Sequence, residues 1–200
     1  EEMSATCREL ELAFHLDGAR LMNAAVASGE KPATIAGHAD TVTICFSKGL
    51  GCPLGAVVAG SEERMAQARR YKHQFGGAMR QAGIVAAACV YALDYHVERL
   101  ADDHALARRL GEALHEAGVP VDLEQVETNF VQIKLQPLGL SEQEALERLR
   151  QEGVALTPTA HAGVLRAVTH LDVTAEDIER AIEAIPRALG VAAEPAAIRS

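Results

Sequence analysis

Apolar positions along the chain alternate between two spacings. Phe14 to Leu16, Thr41 to Phe46 and Gly55 to Ala59 are short apolar runs that read as strands, and a helix near Leu21 to Ser28 joins the first two. Glu1 to Leu12 reads as a helix, with Met3, Cys7 and Leu10 at near-helical spacing. From Ser61 to about Ala117 the pattern is helical. Within it Met79 to Leu93 is nearly all apolar or small, which predicts a buried helix, and it runs into the amphipathic, charged stretch Tyr95 to Glu116. That change of character near His96 sets the expected domain boundary, with 1–97 as the first domain and 98–200 as the second.

The second part has an α/β pattern of its own. Phe130 to Leu135 alternates as a half-buried strand should, and Ser141 caps a helix with Glu144 at the capping-box position. Val154-Ala-Leu-Thr157 starts another strand, and Val164 to His170 makes a further one. Thr174-Ala-Glu-Asp177 opens a final helix to about Leu189 by the same capping logic, and the alanine-rich tail Gly190 to Ser200 is expected to be loose.

Lys48 ends one of the apolar runs and enters a glycine-rich turn, Lys48-Gly-Leu-Gly51. Apolar walls behind such an amine would favour its neutral, nucleophilic form, although a solvated surface charge is the other reading of the lysine alone. Upstream, the run Phe14-His-Leu16 ends in Asp17-Gly-Ala-Arg20. Asp-Gly is a common turn pair, so Asp17 alone also reads as a turn residue. The interval from Asp17 to Lys48 matches one strand–helix–strand crossover, which places both at the carboxyl ends of neighbouring strands, where open α/β sheets bind ligands. An amine, a carboxylate and a guanidinium converging there suit pyridoxal 5′-phosphate, which needs a lysine for its aldehyde and an acid for its ring nitrogen.

Four ordered segments carry a closer likeness. His15-Leu-Asp-Gly-Ala-Arg-Leu-Met-Asn23, Ser47-Lys-Gly-Leu-Gly-Cys-Pro-Leu-Gly55, Gly76-Gly-Ala-Met-Arg-Gln81 and Leu165-Arg-Ala-Val-Thr-His-Leu-Asp-Val173 resemble the low-specificity threonine aldolases. These belong to the β-eliminating lyase group of pyridoxal phosphate enzymes, with the aspartate-aminotransferase type fold. The resemblance implies an α/β fold: the C-terminal portion of the cofactor-binding large domain, then a small α/β C-terminal domain. It implies that Lys48 is the Schiff-base lysine, that Asp17 pairs with the pyridine nitrogen and that Arg20 lies in the cofactor and substrate carboxylate region. Arg80 is implied near the cofactor phosphate and substrate, and Arg166 as the clamp on the substrate α-carboxylate. No metal is implied. A surface or interdomain ion pair is the other reading of Arg80 and Arg166. The sequence departs from the family at Ala78, where a third glycine is usual, and in starting shortly before Asp17, so the chain is expected to be the C-terminal part of a larger enzyme.

The implied reaction is aldol cleavage of a β-hydroxy-α-amino acid, threonine or allo-threonine, to glycine and an aldehyde. Another lyase, transaldolase or racemase reaction on small amino acids with the same cofactor is the neighbouring alternative, and an inactive fragment serving as a dimerisation module is the distant one. A homo-oligomer, dimer or tetramer, with its site at a subunit interface is implied as well. Composition fits a cytoplasmic enzyme portion: 200 residues at 48% hydrophobic can bury a substantial core. A formal net charge of −9 without a basic run argues against nucleic acid as a partner, and no apolar stretch is long enough to span a membrane.

Cys7, Cys45, Cys52 and Cys89 are irregularly spaced, with no zinc-ligand pattern, and read as reduced; a nucleophilic Cys52 would need a partner that the sequence does not supply. Of the histidines, His15 shares a strand side with Asp17 and His170 shares one with Arg166, yet each also has a structural reading, His15 as a satisfied histidine and His170 as part of a helix entry.

Overall fold

The computed structural model describes residues 1–191, so most of the expected loose tail lies outside the described residues. The backbone separates into two compact units, Glu1–Leu100 and a second that begins at Ala101.

The first unit runs α1 (Glu2–Glu9), β1 (His15–Asp17), α2 (Leu21–Ser28), α3 (Pro32–Ala36), β2 (Thr41–Cys45), β3 (Ala56–Gly60), α4 (Glu62–Gln74) and α5 (Gly83–Tyr95). Its sheet has the order β1-β2-β3; β1 and β2 are parallel, whereas β3 returns antiparallel. α2 forms where the sequence predicts it and ends at Gly29, whose φ of 72° is the left-handed conformation glycine adopts freely. The short α3 was not legible from periodicity; Pro32 at its first turn is the local signal.

Two expectations are corrected in this unit. The helical stretch from Ser61 is three helices, interrupted at 75–82, where Gly76 takes a φ of 76°, and again at 96–99. α5 is not buried. Ile84 is 83% exposed and Val90, Tyr91 and Leu93 are exposed too, whereas Ala92 is enclosed. Ala88, Cys89 and Ala92 pack against Phe46, Leu50, Cys52 and Leu100, and Val85 is half-buried near Gly55, whereas most of the remaining helix is exposed. Val57 and Val58 on β3 are likewise exposed.

The second unit comprises α6 (Leu100–Glu116, whose first residue closes the first unit), β4 (Phe130–Lys134), α7 (Glu142–Gln151), β5 (Thr157–Pro158), β6 (Val164–Val168) and α8 (Ala175–Leu189). The sheet order is β4-β6-β5, antiparallel throughout. Val131, Ile133, Leu165 and Ala167 point into a core completed by Ala107, Leu110 and Leu114 of α6, Leu149 of α7 and Ile178 and Ile185 of α8. The alternate residues, Phe130, Gln132 and Arg166, lie on the other, half-exposed face. β5 is much shorter than the strand expected from Val154, because pairing with β6 covers Thr157 and Pro158 alone.

Caps explain the helix starts. Thr174 Oγ1 accepts from the Asp177 N–H while Asp177 accepts from the Thr174 N–H, a complete capping box. Those bonds, from the Thr174 backbone first and its hydroxyl next, hold the Asp177 carboxyl below its usual range. At α7 the box is half made: Ser141 accepts from the Glu144 N–H, but the Glu144 carboxylate binds Arg148 at 2.6 Å instead of returning to the cap. Because Ile133 is fully enclosed, Ile133→Ala is expected to cost about 3 kcal/mol. Chemical denaturation would show it as a lower midpoint at unchanged slope.

Candidate functional site

Parallel pairing of β1 with β2 sets Leu16 opposite Val42 and Asp17 opposite Thr43, so the carboxyl ends of both strands share one edge of the sheet. Asp17 is exposed there, and its Oδ1 accepts from the Ala19 N–H at 3.2 Å, a turn that fixes the carboxylate relative to its strand. Arg20 follows at the N-cap of α2, half-buried. Gly18 is the joint between them. A Cβ there would stand 2.9 Å from both the Thr43 carbonyl oxygen and a Val42 methyl, so only glycine lets β1 lie this close to β2.

Lys48 sits in the turn after β2. The turn is closed by the Gly51 N–H donating to Lys48 O at 2.8 Å and the Cys52 N–H donating to Phe46 O at 3.0 Å. Gly49 is buried in close contact, its absent Cβ position 2.8 Å from Leu100 Cδ2, and His96 Nδ1 lies 2.7 Å from Leu50 O. Phe46, Leu50 and Cys52 form an apolar floor. The Lys48 side chain itself is exposed above that floor rather than enclosed by it.

His15 has both ring nitrogens engaged, Nδ1 at 2.8 Å from Thr41 Oγ1 and Nε2 at 3.3 Å from Thr43 Oγ1. That is the satisfied structural histidine. The two threonines were missed from sequence; period-two alternation in β2 puts them on the face that His15 and Asp17 occupy in β1. Cys52 is buried and donates to Ala88 O at 3.4 Å. Burial first, then the neighbouring Cys89, push its thiol pKa up and keep it protonated, which is the opposite of what a nucleophilic cysteine requires.

The remaining predicted residues lie elsewhere. Arg80 is exposed in the connection between α4 and α5. Arg166 belongs to the second unit, in the central strand β6, where its direct neighbours are Gln132 on β4 and Thr157 on β5. Its Cζ stands 5.1 Å from the centre of the Phe130 ring, and its Nε is buried without a hydrogen-bond partner. His170, beyond the end of β6, accepts from the Asp172 N–H at 3.3 Å and belongs to the entry of α8.

Asp17 and the Lys48 turn thus follow the carboxyl ends of neighbouring parallel strands. The sequence profile described as beta-eliminating lyase matches residues 1–136. The chain belongs to the β-eliminating lyase family. Family members in general depend on pyridoxal phosphate. The chain is similar to the low specificity L-threonine aldolase of Escherichia coli strain K12, 40% identical over 172 residues that make up 86% of this chain and 49% of that protein. It is 31% identical over 196 residues to the low-specificity L-threonine aldolase 1 of Arabidopsis thaliana, covering 98% of this chain and 55% of that one. Its fold matches the solved structure of Leishmania major threonine aldolase with a TM-score of 0.72 at 21% identity, over 94% of this chain and 55% of that one. The chain therefore spans about half the length of the curated relatives it matches.

For this lyase-family chain, Gly18→Ala is the direct test of the close strand approach. Overpacking against a backbone oxygen is expected to cost about 1–3 kcal/mol, measured by denaturant unfolding.

Proposed function

We propose that the whole protein of which this chain forms part cleaves a β-hydroxy-α-amino acid, threonine or allo-threonine, to glycine and an aldehyde with bound pyridoxal 5′-phosphate. The observation that carries the reading is the parallel β1–β2 pairing, which brings Asp17 and the Lys48 turn to one sheet edge. The residues present there fit the reactive end of the cofactor: Lys48 is an exposed amine and Asp17 an exposed carboxylate fixed by its turn.

When bound, pyridoxal 5′-phosphate supplies an aldehyde that condenses with amines and a protonated ring that takes up the electron pair released at Cα. Lys48 would hold the aldehyde carbon, and Asp17 would keep the proton on the ring nitrogen by its negative charge. Arg20, at the start of α2, would serve the cofactor and the substrate carboxylate, and Arg80 the phosphate side. Arg166 would clamp the substrate α-carboxylate, a task for which the planar guanidinium fork suits better than an ammonium. That the Arg166 side chain forms no ion pair or hydrogen bond among the described residues supports this, because its guanidinium keeps its capacity for an anion. Orientation at Cα decides which of its bonds breaks, so the carboxylate clamp bears on the choice of aldol cleavage over other reactions.

The exposed apolar side chains of β3 and α5 support a homo-oligomer, dimer or tetramer, in which further protein covers this unit. No helix of the described residues is long and apolar enough to cross a membrane, and a cytoplasmic location is part of the proposal.

The test is made on the holoenzyme. Lys48→Ala is expected to remove the visible absorbance of bound pyridoxal and with it turnover, and Asp17→Asn to lower kcat by orders of magnitude while the protein stays folded. Threonine, allo-threonine, phenylserine and serine, with glycine and aldehyde quantified, separate aldol cleavage from elimination, transfer or racemisation. Near-normal turnover in Asp17→Asn, or a colourless protein that takes up no cofactor, would overturn the assignment.

A further inference from the structure

The sheet of the second unit has one face committed to the core and one half-exposed face that carries Arg166. On that face Gln132 is the direct cross-strand neighbour of Arg166, and Phe130, two residues earlier on the same strand, is the diagonal one. Diagonal pairs on a sheet are close enough for long side chains to meet. Here they do meet, with the guanidinium carbon 5.1 Å from the ring centre. Among the described residues no carboxylate pairs with Arg166, and its Nε is shielded from solvent without a partner.

An arginine carries several rotatable bonds, and ordering it around an anion costs side-chain entropy each time a ligand binds. Protein carboxylates or carbonyls that fixed it in advance would also occupy the donors that the ligand needs. An aromatic face avoids this conflict, because it attracts the cation through its quadrupole and takes no N–H.

We propose that Phe130 is a positioning residue for Arg166: its ring holds the guanidinium in place while leaving the donors to the α-carboxylate of an amino-acid substrate. The inference rests on the reading of Arg166 as the carboxylate clamp. It predicts an effect on binding rather than on chemistry, because Phe130 is assigned to act on the substrate through the guanidinium alone.

Steady-state kinetics of the holoenzyme with threonine test it, with a thermal melt to check folding. Phe130→Leu is expected to raise KM about three- to tenfold with kcat within about twofold, and Phe130→Tyr, which keeps the ring face, to restore KM. Phe130→Met serves as a second ring-free variant should leucine fail to fold. Arg166→Gln is run alongside. A large rise in KM for Arg166→Gln with none for Phe130→Leu or Phe130→Met overturns the role of Phe130 alone, as does a fall in kcat at unchanged KM in the ring-free variants. An unchanged KM in Arg166→Gln overturns the reading of the arginine itself.

Discussion

Parallel pairing between β1 and β2 is the constraint on which the candidate site depends. Two parallel neighbours need a crossover between them, and α2 with α3 supplies it, so residues far apart in sequence finish on the same edge of one sheet. The approach is close enough to exclude a side chain at position 18, and it presents Asp17 beside Thr43, one turn before Lys48. β3 then returns antiparallel through a loop whose Gly51 and Gly55 have φ values of 72° and 132°. The lysine is therefore set by backbone geometry at both ends of its loop, by the ladder before it and by the glycine turns after it.

The second unit solves a different problem with the same alternation. A strand residue on the open face of a half-covered sheet keeps a polar tip accessible while its stem lies along the sheet, and Arg166 uses this in the central strand. Leu165 and Ala167 beside it are enclosed, which anchors the backbone from which the arginine projects. Leaving its Nε unpaired is costly, since a buried polar group without a partner loses hydration and gains nothing. The Phe130 ring offsets part of that cost through attraction to the cation as a whole.

The strands, α2 and the final two helices were legible because each carries its own punctuation. Gly29 ends α2, Ser141 and Thr174 cap α7 and α8, and period-two alternation runs through β4 and β6. The failures have physical reasons as well. Apolar composition reports what a helix would gain from burial and not what lies over it, so α5 reads as buried although most of its surface is open in its unit. Pairing stops a strand earlier than hydrophobicity does, which is why Val154 to Leu156 is not part of β5. The Asp17–Lys48 relation could be read from crossover length alone. The Phe130–Arg166 contact could not, because it needs the register between β4 and β6, and neither strand specifies its partner.

Lys48 and several apolar side chains of its unit are exposed together. An amine becomes a good nucleophile when its charged form is denied water, and the floor of Phe46, Leu50 and Cys52 lies beneath the turn without enclosing the side chain. On the proposed reading of Lys48 as the Schiff-base lysine, its desolvation would be supplied by protein outside this unit's described residues. The same unit leaves Val57, Val58, Ile84 and Val90 uncovered, and covering them would release apolar surface from water as it closed over the sheet. On that reading, covering α5 and β3 and desolvating Lys48 would draw on the same hydrophobic driving force.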